Sequence, residues 1–384
     1  MKITNPKNLT FTKNLLINYK FIATGGVAPY KFKTPSILPS GLTLTSKGVL
    51  KGTPTSVTSF TLRLKAKSSA GAGSVIKEFT ITISATTTTT TTSAPTTLSN
   101  VYVTNYDVTY GFPNTISTFD RNISTGLLTS NTAIATGTNP KAICISYDGK
   151  NVYVANDFST TVSIFDRDSS TGELTANGTI ATGTRPQAIC ISPDGKNVYV
   201  ANNISKTVSI FDRNTSTGAL NGSSVVNTDY NPFGICISPD GKNIYVANND
   251  IFSFDFNIIS IFDRNTSTGA LTANGTITPQ INPFAICISP DGKNVYVTNS
   301  YSSNSVSIFD RNTSTGVLTS NSTIAAGFVP QAICISADGE YIYVTNNDPN
   351  TISIFDRNIS TGALTLNRTI TATYPLAICI YPVN

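Results

Sequence analysis

Six cysteines and the complete absence of histidine bound the chemistry open to this 384-residue chain. Without histidine there is no Ser–His–Asp or Cys–His catalysis, no imidazole metal ligand and no ordinary neutral-pH general base. The cysteines are Cys144, Cys190, Cys236, Cys287, Cys334 and Cys379. A nucleophilic cysteine would need a base and an exposed, electropositive setting. A structural metal would want Cys-x-x-Cys spacing, which the chain lacks. Equivalent residues on facing sheets stand about 10 Å apart, beyond the roughly 7 Å that a disulfide spans between Cα atoms. The remaining role is a small, soft apolar filler. All six are expected to be unpaired and buried, with no metal and no cofactor.

The elements that carry them are repeats. "AICISPDGKNVYVANN" runs from Ala188 to Asn203, and near-copies begin at Ala142, Gly234, Ala285 and Ala332. The tyrosine of "YVAN" or "YVTN" recurs at Tyr102, Tyr153, Tyr199, Tyr245, Tyr296 and Tyr343, with spacings of 51, 46, 46, 51 and 47. Each unit reads as four strands: "AICIS", "VYVAN", "TVSIFDR" and the weaker "NGTIATG". Asp-Gly and Ser-Thr-Gly supply the left-handed positions of tight hairpins. Four antiparallel strands per unit of about 46 residues predict a propeller blade. The first unit, from Val101, lacks its "AICIS" strand, and the chain ends on that strand at Ala377–Ile380. The spacing therefore predicts six blades closed by the C-terminal strand, a closure that removes open sheet edges.

"GTRPQAICISPDGKNVYVANN" and "VSIFDRNTSTGALT" carry a resemblance to the YVTN-type propellers of the lactonase-like superfamily, across almost all of residues 98–384. Surface-layer proteins and 6-phosphogluconolactonase relatives share it. The resemblance implies a propeller fold and, in some members, lactone hydrolysis or isomerisation by His, Arg and Glu, or with a calcium held by Asn, Asp and Glu in the channel. Here histidine is absent, and the propeller's glutamates, Glu173 and Glu340, fall in turns on the face away from the long loops.

Seven consecutive threonines at residues 86–92 mark a linker. The expected organisation is all-β: a β-sandwich over 1–85, a Thr-rich linker over 86–98 and the propeller over 99–384. Up to Ala85 the chain has 12 Lys and Arg against one acid, Glu78, a net of +11; the rest has 14 against 20, a net of −6. In the first segment "LINYKFIATG", "TLRLKAKS" and "KEFTITIS" alternate apolar with polar, the pattern of strands. "ATGGVAPYKF", "LPSGLTL" and "GVLKGTPT" resemble the Ig-like (cadherin-like) modules of bacterial surface proteins, which imply a spacer or adhesive unit. With Glu78 as its one acid, the segment is a poor calcium binder. Its charge predicts weak, salt-screened contact with anionic surfaces. No apolar run is long enough to span a membrane, and the N-terminus shows no apolar signal-peptide core.

Within near-identical units, function is expected where the repeat breaks. The residue after the proline that opens each unit varies as Lys141, Gln187, Phe233, Phe284, Gln331 and Leu376, and should ring the channel mouth beside Arg185. Units one and four carry longer loops, Tyr106–Asn114 and Asn249–Asn257, with Tyr106, Tyr110, Phe112, Asp250, Phe252, Phe254 and Phe256. Exposed aromatics on a polar surface mark contact sites, here a clamp for a sugar, a peptide or a partner protein. The "Asp-Gly" aspartates read as turn formers, and the Asp-Arg pairs of "FDR" as local hydrogen bonds or surface ion pairs. These features favour a non-catalytic, cell-surface or secreted binding and adhesion protein. The alternatives are a lactonase-like hydrolase or isomerase, and an intracellular partner-binding propeller with free thiols. No specific nucleic-acid binding is indicated.

Overall fold

A computed structural model describes residues 2–3, 8–12, 17–24, 30–56, 58–68, 74–84, 99–105, 114–121, 128–249, 257–348 and 350–371. The described residues contain strands and turns and no helix. They divide into two compact units, Met1–Ala94 and Pro95–Asn384.

The N-terminal unit has a four-stranded sheet, a three-stranded sheet and a short two-stranded pair, Lys2–Ile3 with Ala23–Thr24. In the first, Tyr30–Lys33 and Ser74–Ser84 flank Thr58–Ser68 in antiparallel register, and Asn8–Thr12 joins Ser74–Ser84 in parallel. In the second, Val49–Gly52 lies between Ile17–Lys20 and Leu42–Leu44. Both sheets contribute to one core, including Phe32, Leu42, Leu50, Leu62, Leu64, Phe79 and Ile81.

The C-terminal unit is a run of antiparallel meanders with propeller-like repetition. Five four-stranded sheets follow one three-stranded sheet among the described residues. Unit two is representative, with strands Pro140–Ile145, Asn151–Asn156, Thr161–Arg167 and Leu174–Ala181. Its second strand is buried throughout, while its fourth is mostly exposed. Unit one supplies Ser99–Asn105, Thr115–Arg121 and Leu128–Ala135. The expected closing strand at Ala377–Ile380, with Leu376 and Cys379, lies outside the described residues. First strands of successive units lie side by side, and the cores form between sheets. Tyr153 and Ala155 of unit two, for example, pack with Ile189, Ile191, Val200 and Phe211 of unit three.

The five described cysteines are free. Cys236 is fully buried, whereas Cys144, Cys190, Cys287 and Cys334 keep partial exposure, because their strand lines the inner edge of the sheets. Burial pushes the Cys144 thiol up to about 12, against a smaller opposing pull from Arg213.

A polar clamp locks each sheet to the next. Tyr153 donates its hydroxyl hydrogen to the carbonyl of Gly218 at 2.8 Å and accepts from Arg213 Nε at 2.7 Å. Arg213 also donates to the Gly195 carbonyl at 3.1 Å, to Asn151 Oδ1 at 2.5 Å and to the Asp148 carboxylate at 3.0 Å. Tyr153, Asn151 and Asp148 belong to unit two; Arg213, Gly195 and Gly218 belong to unit three. The Arg–Tyr bond recurs as Arg167–Tyr102, Arg264–Tyr199, Arg311–Tyr245 and Arg357–Tyr296. Gly218 is required twice over: its φ is +72°, and a Cβ there would come within 2.0 Å of Asn151.

This corrects the surface reading of the "FDR" arginines. Arg213, Arg264, Arg311 and Arg357 are buried and reach the preceding unit, not the neighbouring aspartate. The aspartate half behaves locally: Asp166 accepts from Asn151 of its own sheet at 2.9 Å. The "Asp-Gly" aspartates do form turns, as Asp148 accepts from Lys150 N at 3.1 Å, but Asp148, Asp194, Asp240 and Asp291 also receive the next unit's arginine. Burial works to raise the carboxyl of Asp148, but hydrogen bonds from Ser146, Lys150 and Arg213 outweigh it and hold it low.

Replacing Tyr199 by Phe should destabilise the protein by about 1–3 kcal/mol in denaturant unfolding, since Arg264 Nε and the Gly269 carbonyl both lose a buried partner. An unchanged midpoint would show that the clamp is not a source of stability.

Candidate functional site

One end of each sheet presents the loop after the second strand and the connection into the first strand. Hydrogen bonds tie the two together: Asp157 N and Phe158 N donate to the carbonyls of Asn139 and Thr138 at 2.9 and 3.2 Å. The Asp-Gly and Ser-Thr-Gly turns lie at the other end of the strands.

The residue directly after the second strand breaks the repeat. It is Asp157 in unit two, Asn203 in unit three, Asn249 in unit four and Ser300 in unit five, all buried. Asp157 is fully buried, yet its Oδ2 accepts from Asn139 Nδ2 at 2.9 Å and its Oδ1 lies 2.6 Å from Arg185 Nε. The Arg185 contact is a short ion pair to a carboxylate that is wholly out of solvent. Burial pushes the Asp157 carboxyl up; Arg185, Lys141 and Gln187 oppose the shift without cancelling it.

Arg185 is held in an unusual way. Its φ is +61°, in the left-handed region, where the equivalent residues Asn139, Asn282 and Val329 have φ of 58°, 59° and 49°. Asparagine accepts this conformation cheaply and arginine does not. The side chain remains 44% exposed and its guanidinium stacks 4.7 Å from the Phe158 ring. A buried carboxylate thus anchors an exposed cation under backbone strain.

The structure places Lys141, Gln187, Phe233, Phe284 and Gln331 second in their units' opening segments, each partly exposed. Lys141 and Gln187 come together with Asp157 and Arg185 between units two and three. Phe233 and Phe284 meet across units four and five, with ring centroids 5.0 Å apart. Among the described residues, no hydrogen bond or ring contact joins Gln331 to either group. Tyr106, Tyr110, Phe112, Asp250, Phe252, Phe254 and Phe256 lie outside the described residues, so the two long loops add nothing to this geometry. The described residues of this end do add Phe158, Ile204, Tyr301 and Phe328 as exposed apolar groups.

Sequence reasoning missed Asp157. Its signal was the comparison of the position after "YVAN" or "YVTN" between units, where one carboxylate interrupts Tyr, Asn and Ser. The donor set does not fit a calcium. No group of three or more Cys, Asp or Glu gathers among the described residues, and the one carboxylate of the site is engaged by arginine beside a lysine.

A family model described as "Lactonase, 7-bladed beta-propeller" matches residues 70–187, 175–283 and 273–381. The chain belongs to this lactonase family. Its fold is shared with the periplasmic gluconolactonase of Pseudomonas aeruginosa, at 16% identity over 82% of this chain and 93% of that one, TM-score 0.63. A protein of Lactobacillus plantarum is similar at 19% identity over 82% and 94%, TM-score 0.63. A candidate 6-phosphogluconolactonase of Bacteroides fragilis is similar at 23% identity over 74% and 98%, TM-score 0.50. No curated protein matches. Membership of the lactonase family overturns the expectation of a non-catalytic adhesion protein, which rested on near-identical blades and missing histidine. Neither feature bears on an anchored arginine at the mouth.

Raised by burial, the folded Asp157 carboxyl favours the protonated form relative to the unfolded chain, so its contribution to stability falls as pH rises through the folded pKa. Asp157→Asn installs the residue found in units three and four. It should raise Tm at neutral pH and leave Tm little changed in acid, while impairing whatever Arg185 does. A Tm that falls at neutral pH would show instead that the ion pair stabilises the fold.

Proposed function

We propose that this propeller hydrolyses a sugar lactone at its loop-bearing mouth. The observation that carries the reading is the anchored Arg185 with Lys141 beside it, in a chain of the lactonase family. Water adds to the lactone carbonyl, the ring C–O bond breaks, and the products are a hydroxy-carboxylate and a proton. Arg185 and Lys141 stabilise the oxyanion of the tetrahedral intermediate, where preorganised charge acts most strongly. Asp157, fully buried, is a positioning residue that fixes Arg185 and is not the base. Phe233 and Phe284 offer an apolar wall for the C–H face of a sugar ring.

Two finer features of the molecule accompany this reading. We propose that the propeller has six blades, with residues 377–380 completing unit one. The three-stranded first sheet and the six repeat tyrosines support it, against the seven blades of the family description. We also propose that the N-terminal unit is an Ig-like sandwich tethered by the Thr-rich segment, supported by two sheets sharing one core.

The function is tested by following hydrolysis of δ-gluconolactone and its 6-phosphate against the spontaneous rate. Arg185→Met and Lys141→Met should each lower kcat/KM at least about tenfold, roughly 1.4 kcal/mol of transition-state stabilisation. No acceleration over the spontaneous rate for either lactone would sink the proposal. The closure is tested separately: ending the chain at Thr371 should lower Tm by at least about 5 °C, and an unchanged Tm would rule out the closing strand.

A further inference from the structure

One sheet face of the N-terminal unit carries five of its twelve cations. Along Tyr30–Lys33, Thr58–Ser68 and Ser74–Ser84 the burial alternates strictly, with Phe32, Leu62, Leu64, Ala66, Phe79 and Ile81 inward. The outward set includes Lys31, Lys33, Arg63, Lys65 and Lys67, all exposed. The register sets Lys31 directly opposite Lys67 and Lys33 directly opposite Lys65. Arg63 is opposite Glu78 and pairs with it at 3.0 Å, so the unit's one acid is consumed at the end of the stripe.

Like charges placed directly across a pair of strands destabilise a sheet. Lysines kept for solubility could sit anywhere on the surface and would avoid that cost. Here four ammonium groups form two parallel rows about 5 Å apart, with about 7 Å between successive cations in a row. The neighbouring outward positions on these strands carry hydroxyls: Ser59, Thr61 and Thr80. A depression of about 360 Å³, lined by Lys33, Thr34, Pro35, Arg63, Lys65 and Ile76, opens on the same face.

We propose that this face binds a linear anionic polysaccharide, its carboxylate or sulfate groups lying along the two lysine rows and its hydroxyls bonding the serine and threonine side chains. The double row suits a ribbon with charge on successive units. Among the described residues the face has no aromatic side chain on which a base could stack, which argues against single-stranded nucleic acid. Ile76 is the one large apolar group exposed on it, too little to insert into a bilayer. The proposal is independent of the propeller's activity.

The full chain is compared with two variants that remove equal charge from the same unit. One carries Lys31→Ser, Lys33→Ser, Lys65→Ser and Lys67→Ser; the other carries Lys2→Ser, Lys20→Ser, Lys47→Ser and Lys51→Ser. Binding to heparin and to polygalacturonate is measured by calorimetry across a salt series, beside single-stranded oligothymidylate and vesicles of equimolar phosphatidylserine and phosphatidylcholine. The face variant should lose at least about tenfold in affinity for the polysaccharides and the control less than about threefold. The face variant should also melt higher than the parent at low salt, because the opposed lysines no longer repel; this reading separates lost binding from lost folding. Equal losses in the two variants would reduce the effect to net charge and overturn the proposal. So would preferential binding to the vesicles or the oligonucleotide, or no polysaccharide binding at low salt.

Discussion

The propeller depends on a buried arginine that belongs to one sheet and is satisfied by the one before it. A guanidinium out of water must have its donors met, because an unpaired buried charge costs several kcal/mol. Arg213 meets that demand with a tyrosine hydroxyl, an asparagine oxygen and an aspartate from unit two, and a carbonyl from its own unit. The sheets must then stack in one register, since any slip strands the charge. Apolar contact between sheets supplies the bulk attraction, while this polar contact fixes the angle and order in which they meet.

The same rigidity makes the mouth usable. The first strands are held side by side, so the few positions where units differ become fixed points around a common opening. Lys141 and Arg185 fall on one arc, Phe233 and Phe284 on another. An exposed arginine tied to a fully buried Asp157 is a poor choice for stability alone. Stability comes from what the units share, and the proposed chemistry from a few residues that they do not.

The repeat made much of this legible beforehand. The "YVAN" tyrosines gave the period, the Asp-Gly and Ser-Thr-Gly turns gave the strand boundaries, and a cysteine in every first strand argued against disulfides. The variable position after proline led to Lys141, Gln187, Phe233 and Phe284. What stayed hidden depended on contacts between units. Adjacent Asp and Arg in "FDR" suggest a local pair, but neighbours in a strand point to opposite sides, and Arg213 finds its partners 60 to 65 residues away. Asp157 differs from asparagine by one group within a loop, and only its burial beside Arg185 marks it. The absence of histidine weighs against the lactonase-like alternative only if a neutral-pH base is required, and oxyanion stabilisation by arginine and lysine needs none.

The clamp has a further consequence for how the chain counts its own units. Every described junction uses the same tyrosine, arginine and glycine, so the clamp itself does not record its place in the series. Order must come from the short connections, which deliver each sheet to its successor before any other can compete. The last unit is marked by its own residue. Tyr341 occupies the position held by Asn100, Asn151, Asn197, Asn243 and Asn294 in the preceding units. A tyrosine has no amide oxygen of the kind that receives the arginine at the described junctions. Adding or losing an internal unit therefore leaves every described junction chemically intact while changing how far the array of sheets turns.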